Sequence, residues 1–122
     1  MAVPRITKED LKARLEGDPA TLPVILDARL KYPYEHSTLT LPGAVRVNPD
    51  ALDTSGLSTG RDVVAYDSDL EELVSARVAA ALIRQGYRAC ALKGGLPEWV
   101  TAKFPTDVKD ALSKALYERL FL

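Results

Sequence analysis

The chain reads as an α/β domain with a central, mainly parallel sheet and helices on both of its faces. Two features of the sequence predict this. Short apolar runs, each about the length of a strand, alternate with stretches whose apolar residues fall at helical spacing. Gly and Pro stand between these segments, so strand and helix follow one another, and such alternation implies right-handed crossovers between parallel strands. With 122 residues, 47% of them hydrophobic and 27% charged, the chain has the size and composition of one globular domain around one core.

Taken in order, Thr7 with Asp10 three residues on marks a helix start, and Leu11 and Leu15 give that helix an apolar stripe ending at Gly17. Pro23 opens Val24-Ile25-Leu26, which closes on Asp27; a compact apolar run of this kind suits a strand buried on both faces. Pro42-Gly43 makes a turn before a second short strand, Ala44-Val45-Arg46-Val47. A third strand, Val63-Val64-Ala65-Tyr66, follows Gly60. A polar loop comes next, and then a helix over about residues 71–85, stopped by Gly86. Leu73, Val74, Val78, Ala81 and Leu82 lie on one side of it and form the face expected against the sheet. Ala89-Cys90-Ala91-Leu92 is a fourth strand, closed by Gly94-Gly95. The domain is thus expected over residues 1–105. Residues 106–122 carry Val108, Leu112, Ala115, Leu116 and Leu120 at helical spacing and are expected to form an amphipathic C-terminal helix packed on it. Phe121 and Leu122 leave that helix an apolar end, so a homodimer or partner contact is the alternative.

Composition also limits the partners. A formal net charge of -1 gives no electrostatic case for nucleic acid or an anionic membrane. The apolar runs are too short to insert across a bilayer, and the first seven residues lack the apolar core of a signal peptide. A single cysteine, Cys90, rules out an internal disulfide and suits a reducing compartment, so the expected location is cytoplasmic. Cys90 falls in a predicted core strand and reads as a small buried hydrophobe. His36, among Tyr32, Tyr34 and Glu35 with no second His or Cys nearby, reads as a surface residue.

Open α/β sheets bind ligands at the carboxyl ends of their strands. That rule selects Asp27-Ala28-Arg29, the loop of residues 67–72, and Gly94-Gly95. The middle loop is the most informative, because it joins a buried strand to a helix N-terminus. Converging backbone N–H groups and the positive end of the helix dipole favour an anion there, and would lower the pKa of a thiol. The chain supplies Asp67, Ser68, Asp69, Leu70, Glu71 and Glu72 instead. The carboxylate of Asp67 is expected to fill the amide nest itself.

In order and spacing, several segments together resemble the rhodanese family. They are Ile25-Leu26-Asp27-Ala28-Arg29, Pro42-Gly43-Ala44, Val63-Val64-Ala65-Tyr66, Ser75-Ala76-Arg77-Val78-Ala79, Gly86-Tyr87 and, the most specific, Gly94-Gly95-Leu96-Pro97-Glu98-Trp99. The resemblance runs over about residues 5–104. It implies a three-layer fold with a five-stranded, mainly parallel sheet and an active-site loop between the fourth strand and its helix. It also implies structural roles for Asp27 and Arg29, as the family's Asp-x-Arg element, in tying the first loop to its neighbours. Active members carry a persulfide on a cysteine directly after the Val-Val-x-Tyr strand. Position 67 is Asp, and position 69, where a second cysteine occurs in some members, is Asp as well.

A carboxylate cannot hold a persulfide sulfur, so no catalytic residue is expected. The expected function is a catalytically inactive rhodanese-like domain, a protein-binding or regulatory module whose acidic loop suits a basic group on a protein partner. No cofactor and no metal are expected. Two alternatives stand beside it. One is a carboxylate- and metal-dependent, phosphatase-like enzyme using Asp67 and Asp69, since a strand followed by Asp-x-Asp resembles the haloacid-dehalogenase phosphatases. That match ends at Leu70, and no later acidic pair completes a metal site. The other is a structural or oligomerisation role for the terminal helix.

Overall fold

The computed structural model describes residues 2–110 and 118–120. The elements, in order, are β1 (Arg5–Ile6), α1 (Lys8–Leu15), a 3-10 turn (Pro19–Thr21), β2 (Val24–Asp27), α2 (Lys31–Glu35), β3 (Leu39–Thr40), β4 (Val45–Arg46), β5 (Asp62–Tyr66), α3 (Leu73–Arg84), β6 (Arg88–Leu92), α4 (Gly95–Thr101) and β7 (Asp107–Val108). Five strands form one sheet in the order β1-β6-β5-β2-β4, and every pair in it is parallel. The expected fold class is therefore observed. β5, which precedes the loop of interest, is the fourth strand of that sheet along the chain.

Both faces of the sheet are buried, which is why its strands read as continuous apolar runs. Successive side chains of β5 alternate between them. Val64 and Tyr66 pack with Ile25, Leu11, Leu92, Leu96 and Trp99 on the side of α1 and α4. Val63 and Ala65 pack with Leu26, Val78, Ala79 and Leu82 on the side of α3. Trp99 is fully buried, donates its indole N–H to the Pro105 carbonyl at 2.7 Å, and meets the Phe104 ring edge-on.

Local signals explain the helix ends. The Thr7 hydroxyl accepts from the Asp10 amide at 3.1 Å and caps α1. At the end of α3, Gly86 takes φ 93°; its amide reaches the Ile83 carbonyl and the Tyr87 amide reaches that of Leu82. This is the paired C-terminal closure that glycine permits.

Three expectations are corrected. Helix α3 begins at Leu73, two residues later than expected, because Glu72 adopts a left-handed backbone with φ 54°. Its buried face is Ser75, Val78, Ala79 and Leu82, and Leu73 is exposed on the other side. The buried set follows the i, i+3, i+4, i+7 rule, and Leu73 falls off that stripe. The segment after Thr106 opens as a strand and not as a helix. Asp107–Val108 pairs antiparallel with Leu39–Thr40, the Asp107 carboxylate accepts from the Gly43 amide at 2.9 Å, and the Lys109 amide donates to the Thr38 carbonyl. These long-range backbone bonds override the helical spacing of Val108. Residues 118–120 are helical and exposed, whereas Leu112, Ala115, Leu116, Phe121 and Leu122 lie outside the described residues. Cys90, expected in the core, is only half-buried in β6. β1, β3 and β7 are two-residue strands, too short to show a period in sequence.

Among the described residues no helix is long and apolar enough to cross a membrane.

Candidate functional site

Residues 67–72 connect β5 to α3 at the carboxyl edge of the sheet, and Asp67 is the residue on which the loop turns. Its side chain is 1% exposed. One carboxylate oxygen accepts from the Asp69 amide at 2.8 Å, and the other accepts from the Ser75 amide in the first turn of α3. Glu72, at the N-cap position itself, makes no side-chain cap. Asp67 therefore caps the helix from eight residues upstream, satisfying a donor that a helix start leaves unpaired. The positive end of the α3 dipole favours its charge.

The loop is held from behind by Gly95, which follows Gly94 in a left-handed backbone, at φ 60° and 80° respectively. A side chain at Gly95 would place its Cβ 2.6 Å from the Asp67 carbonyl oxygen and 3.1 Å from that of Asp69. Only glycine accommodates both that backbone conformation and that contact. The Asp67 carbonyl in turn accepts from the Leu96 amide at 2.9 Å. Gly95 thus serves the loop directly, whereas a Cβ at Gly94 would meet the Glu98 side chain.

The other acids divide. Glu72 is 7% exposed and pairs with Arg5 Nε at 3.1 Å, anchoring the loop to β1. Asp69 is half-buried and accepts from the Glu71 amide at 2.7 Å, while Glu71 is exposed. The expectation of one acidic surface from Asp67 to Glu72 is corrected: two of its four carboxylates are buried and internally paired. Burial is decided here by the backbone amides and Arg5, partners that a local reading of charge does not reveal. Ser68 is half-buried and Leu70 exposed.

Asp67, Ser68 and Asp69 line a cleft of about 370 Å³ together with Leu30, Pro33 and Val74. Leu70 and Leu73 flank the same loop at 60% and 68% exposure, and Tyr32 stands exposed beside Pro33. Leu30, Pro33 and Val74 thus stand opposite Asp67, Ser68 and Asp69 in the lining of the cleft. The fully buried Ser75 hydroxyl has no hydrogen-bond partner among the described residues.

Asp27 and Arg29 form a buried pair, both 1% exposed. The guanidinium Nε and Nη2 donate to both Asp27 oxygens at 2.6–3.2 Å, and Nη2 also reaches the Leu39 carbonyl. Arg29 thus ties β2 to β3. Its hydrogen bonds go to Asp27 and Leu39 and not to residues 67–72. The Tyr66 ring lies 5.8 Å from this guanidinium, and its hydroxyl accepts from the Leu41 amide. Burial and then the Asp27 charge push the Tyr66 phenol far above its ordinary range, so it stays protonated. Burial likewise pushes the Cys90 thiol up, which makes it a poor nucleophile at neutral pH. Among the described residues no group of three or more His, Cys, Asp or Glu is placed to hold a metal ion.

Residues 7–102 match the family described as Rhodanese-like domain. The chain belongs to that family. None of the curated proteins matches this rhodanese-like domain. Among solved structures, a rhodanese-like domain protein from Staphylococcus aureus is 22% identical, with a TM-score of 0.67 over 87% of this chain and 98% of that one. A protein from Anabaena sp. is 29% identical, with a TM-score of 0.67 over 90% and 87% of the two chains. A protein from Rhodopseudomonas palustris, described as of unknown function and a possible tyrosine phosphatase, is 20% identical, with a TM-score of 0.71 over 86% and 85%.

Replacing Asp67 by Ala removes the acceptor of two amides at once and is expected to destabilise the domain by about 1–2 kcal/mol. Urea denaturation reads this as a lower midpoint at an unchanged slope. Asp67→Asn, which keeps a carbonyl acceptor, is expected to lose less.

Proposed function

We propose that this rhodanese-like domain does not transfer sulfur and serves as a protein-binding module through the face around residues 67–74, in the cytoplasm. The observation that carries the reading is the commitment of both Asp67 oxygens to backbone amides. In the family's pattern this residue is the nucleophile, and the surrounding amides are free to receive an anionic donor. Here the side chain is an acid, and it occupies the Asp69 and Ser75 amides itself. A carboxylate in that place neither attacks a sulfur donor nor leaves its nest open. The same commitment weighs against a carboxylate nucleophile or a metal ligand, because both oxygens face N–H donors.

What supports binding is the apolar rim. Exposed Leu30 lines the cleft with Pro33 and Val74, and Leu70 and Leu73 are exposed on the adjoining loop and helix start. Large apolar side chains gathered on one surface are a common mark of a protein contact. Asp69 and Glu71 add acid at its edge, suited to an apolar partner segment bearing a basic group.

Cyanide-dependent formation of thiocyanate from thiosulfate tests the first half. The native chain is expected to be silent and Asp67→Cys to gain activity; turnover by the native chain would contradict the reading and assign a role to Cys90. The second half predicts that Leu70→Asp with Leu73→Asp abolishes retention of whatever proteins the immobilised native chain binds, at unchanged melting temperature. Undiminished retention by that variant would contradict it.

A further inference from the structure

We propose that the opposite pole of the sheet carries a binding site for a phosphoryl dianion, formed by Arg14, Arg61 and Arg88. These side chains come from three places. Arg14 lies in the last turn of α1, Arg61 directly precedes β5, and Arg88 opens β6. Parallel pairing sets Asp62 beside Arg88 in register, so the strand entries bring the charges together. They line a cleft of about 200 Å³.

Each guanidinium is oriented by a fixed acceptor. Arg14 forms an ion pair with Asp62 at 3.1 Å and donates to the Thr21 carbonyl at 2.9 Å. Arg61 donates twice to the Leu22 carbonyl, at 3.2 and 2.6 Å. Arg88 donates to Asp62 at 2.7 Å and to the Gly60 carbonyl at 2.9 Å. A guanidinium has five N–H donors, so each keeps more than it spends on these contacts. Among the described residues three cations and one carboxylate line the cleft, a surplus of two positive charges in that lining. The hydrogen bond from Arg88 lowers the Asp62 pKa, so Asp62 stays ionised and the surplus stays at two through the neutral range.

A surplus of two charges on planar forks matches a dianionic phosphoryl group better than a single carboxylate. The site is separate from the loop at Asp67, since β5 puts roughly 13 Å between its first and last residues. The phosphoryl group has two sources, free phosphate or a small phosphomonoester, and the recognition chemistry is the same for both.

The test is a titration of the full chain, followed by amide NMR shifts, with inorganic phosphate and separately with glycerol phosphate. Sodium chloride holds ionic strength constant, at about pH 7.5 where a phosphomonoester is a dianion. Saturable shifts are expected at residues 20–22, 60–62 and 88, with residues 67–72 unmoved. Tighter binding of glycerol phosphate supports a phosphomonoester as the ligand, and equal binding supports free phosphate. Arg61→Gln is expected to weaken binding about two- to fivefold and Asp62→Asn to tighten it by a similar factor, as fits exposed charges. The opposing signs separate a site from a purely structural ion-pair network, since loss of that network gives no tightening. Shifts that do not saturate, that match those in chloride alone, or that ignore both substitutions would overturn the proposal.

Discussion

The Asp67 carboxylate, held between the amides of Asp69 and Ser75, sets the conformation of the loop on which the rest of the site depends. It fixes where the chain turns after β5, and it supplies the cap that Glu72 does not give to α3. Gly95 is required because the same loop presses its carbonyl oxygens against the backbone behind it. Arg5 then secures Glu72 from β1, so the loop is tied to the sheet on both sides. Each contact is ordinary in size, and together they leave little freedom at the carboxyl edge of the sheet.

This arrangement changes what the edge can do. A loop of converging amides beside a helix N-terminus favours an anion. In this chain the anion is covalently part of the protein. Net charge at the surface falls accordingly, because Asp67 and Glu72 are both withdrawn from solvent. Leu70 and Leu73 stay exposed there, beside the exposed Glu71. The proposed binding role therefore follows from a change at one residue, carried outward through backbone hydrogen bonds.

The sheet was legible in sequence because its central strands are buried on both faces and leave continuous apolar runs, as Val63 to Tyr66 show. The cap of α1 at Thr7 and the closure of α3 at Gly86 were legible as local chemistry. Asp67 filling its own amide nest was also open to reasoning from position alone. What escaped was non-local. Arg5 reaches Glu72 across 67 residues, and no local pattern announces that pair. The strand at Asp107–Val108 exists only because Leu39–Thr40 lies beside it. The left-handed Glu72 that delays the start of α3 is required by nothing in its composition, and Leu73 falls off the stripe of Ser75, Val78, Ala79 and Leu82.

The most direct test of the central claim is hydrogen exchange at the Ser75 amide, measured residue by residue in the native chain. An amide bound to a buried carboxylate opens only when the helix start opens. The predicted result is protection of Ser75 comparable to that of Ala76, whose amide is held by the Glu72 carbonyl. Exchange of Ser75 at the rate of an unstructured amide, with Ala76 still protected, would show that Asp67 does not occupy the nest and would contradict the account.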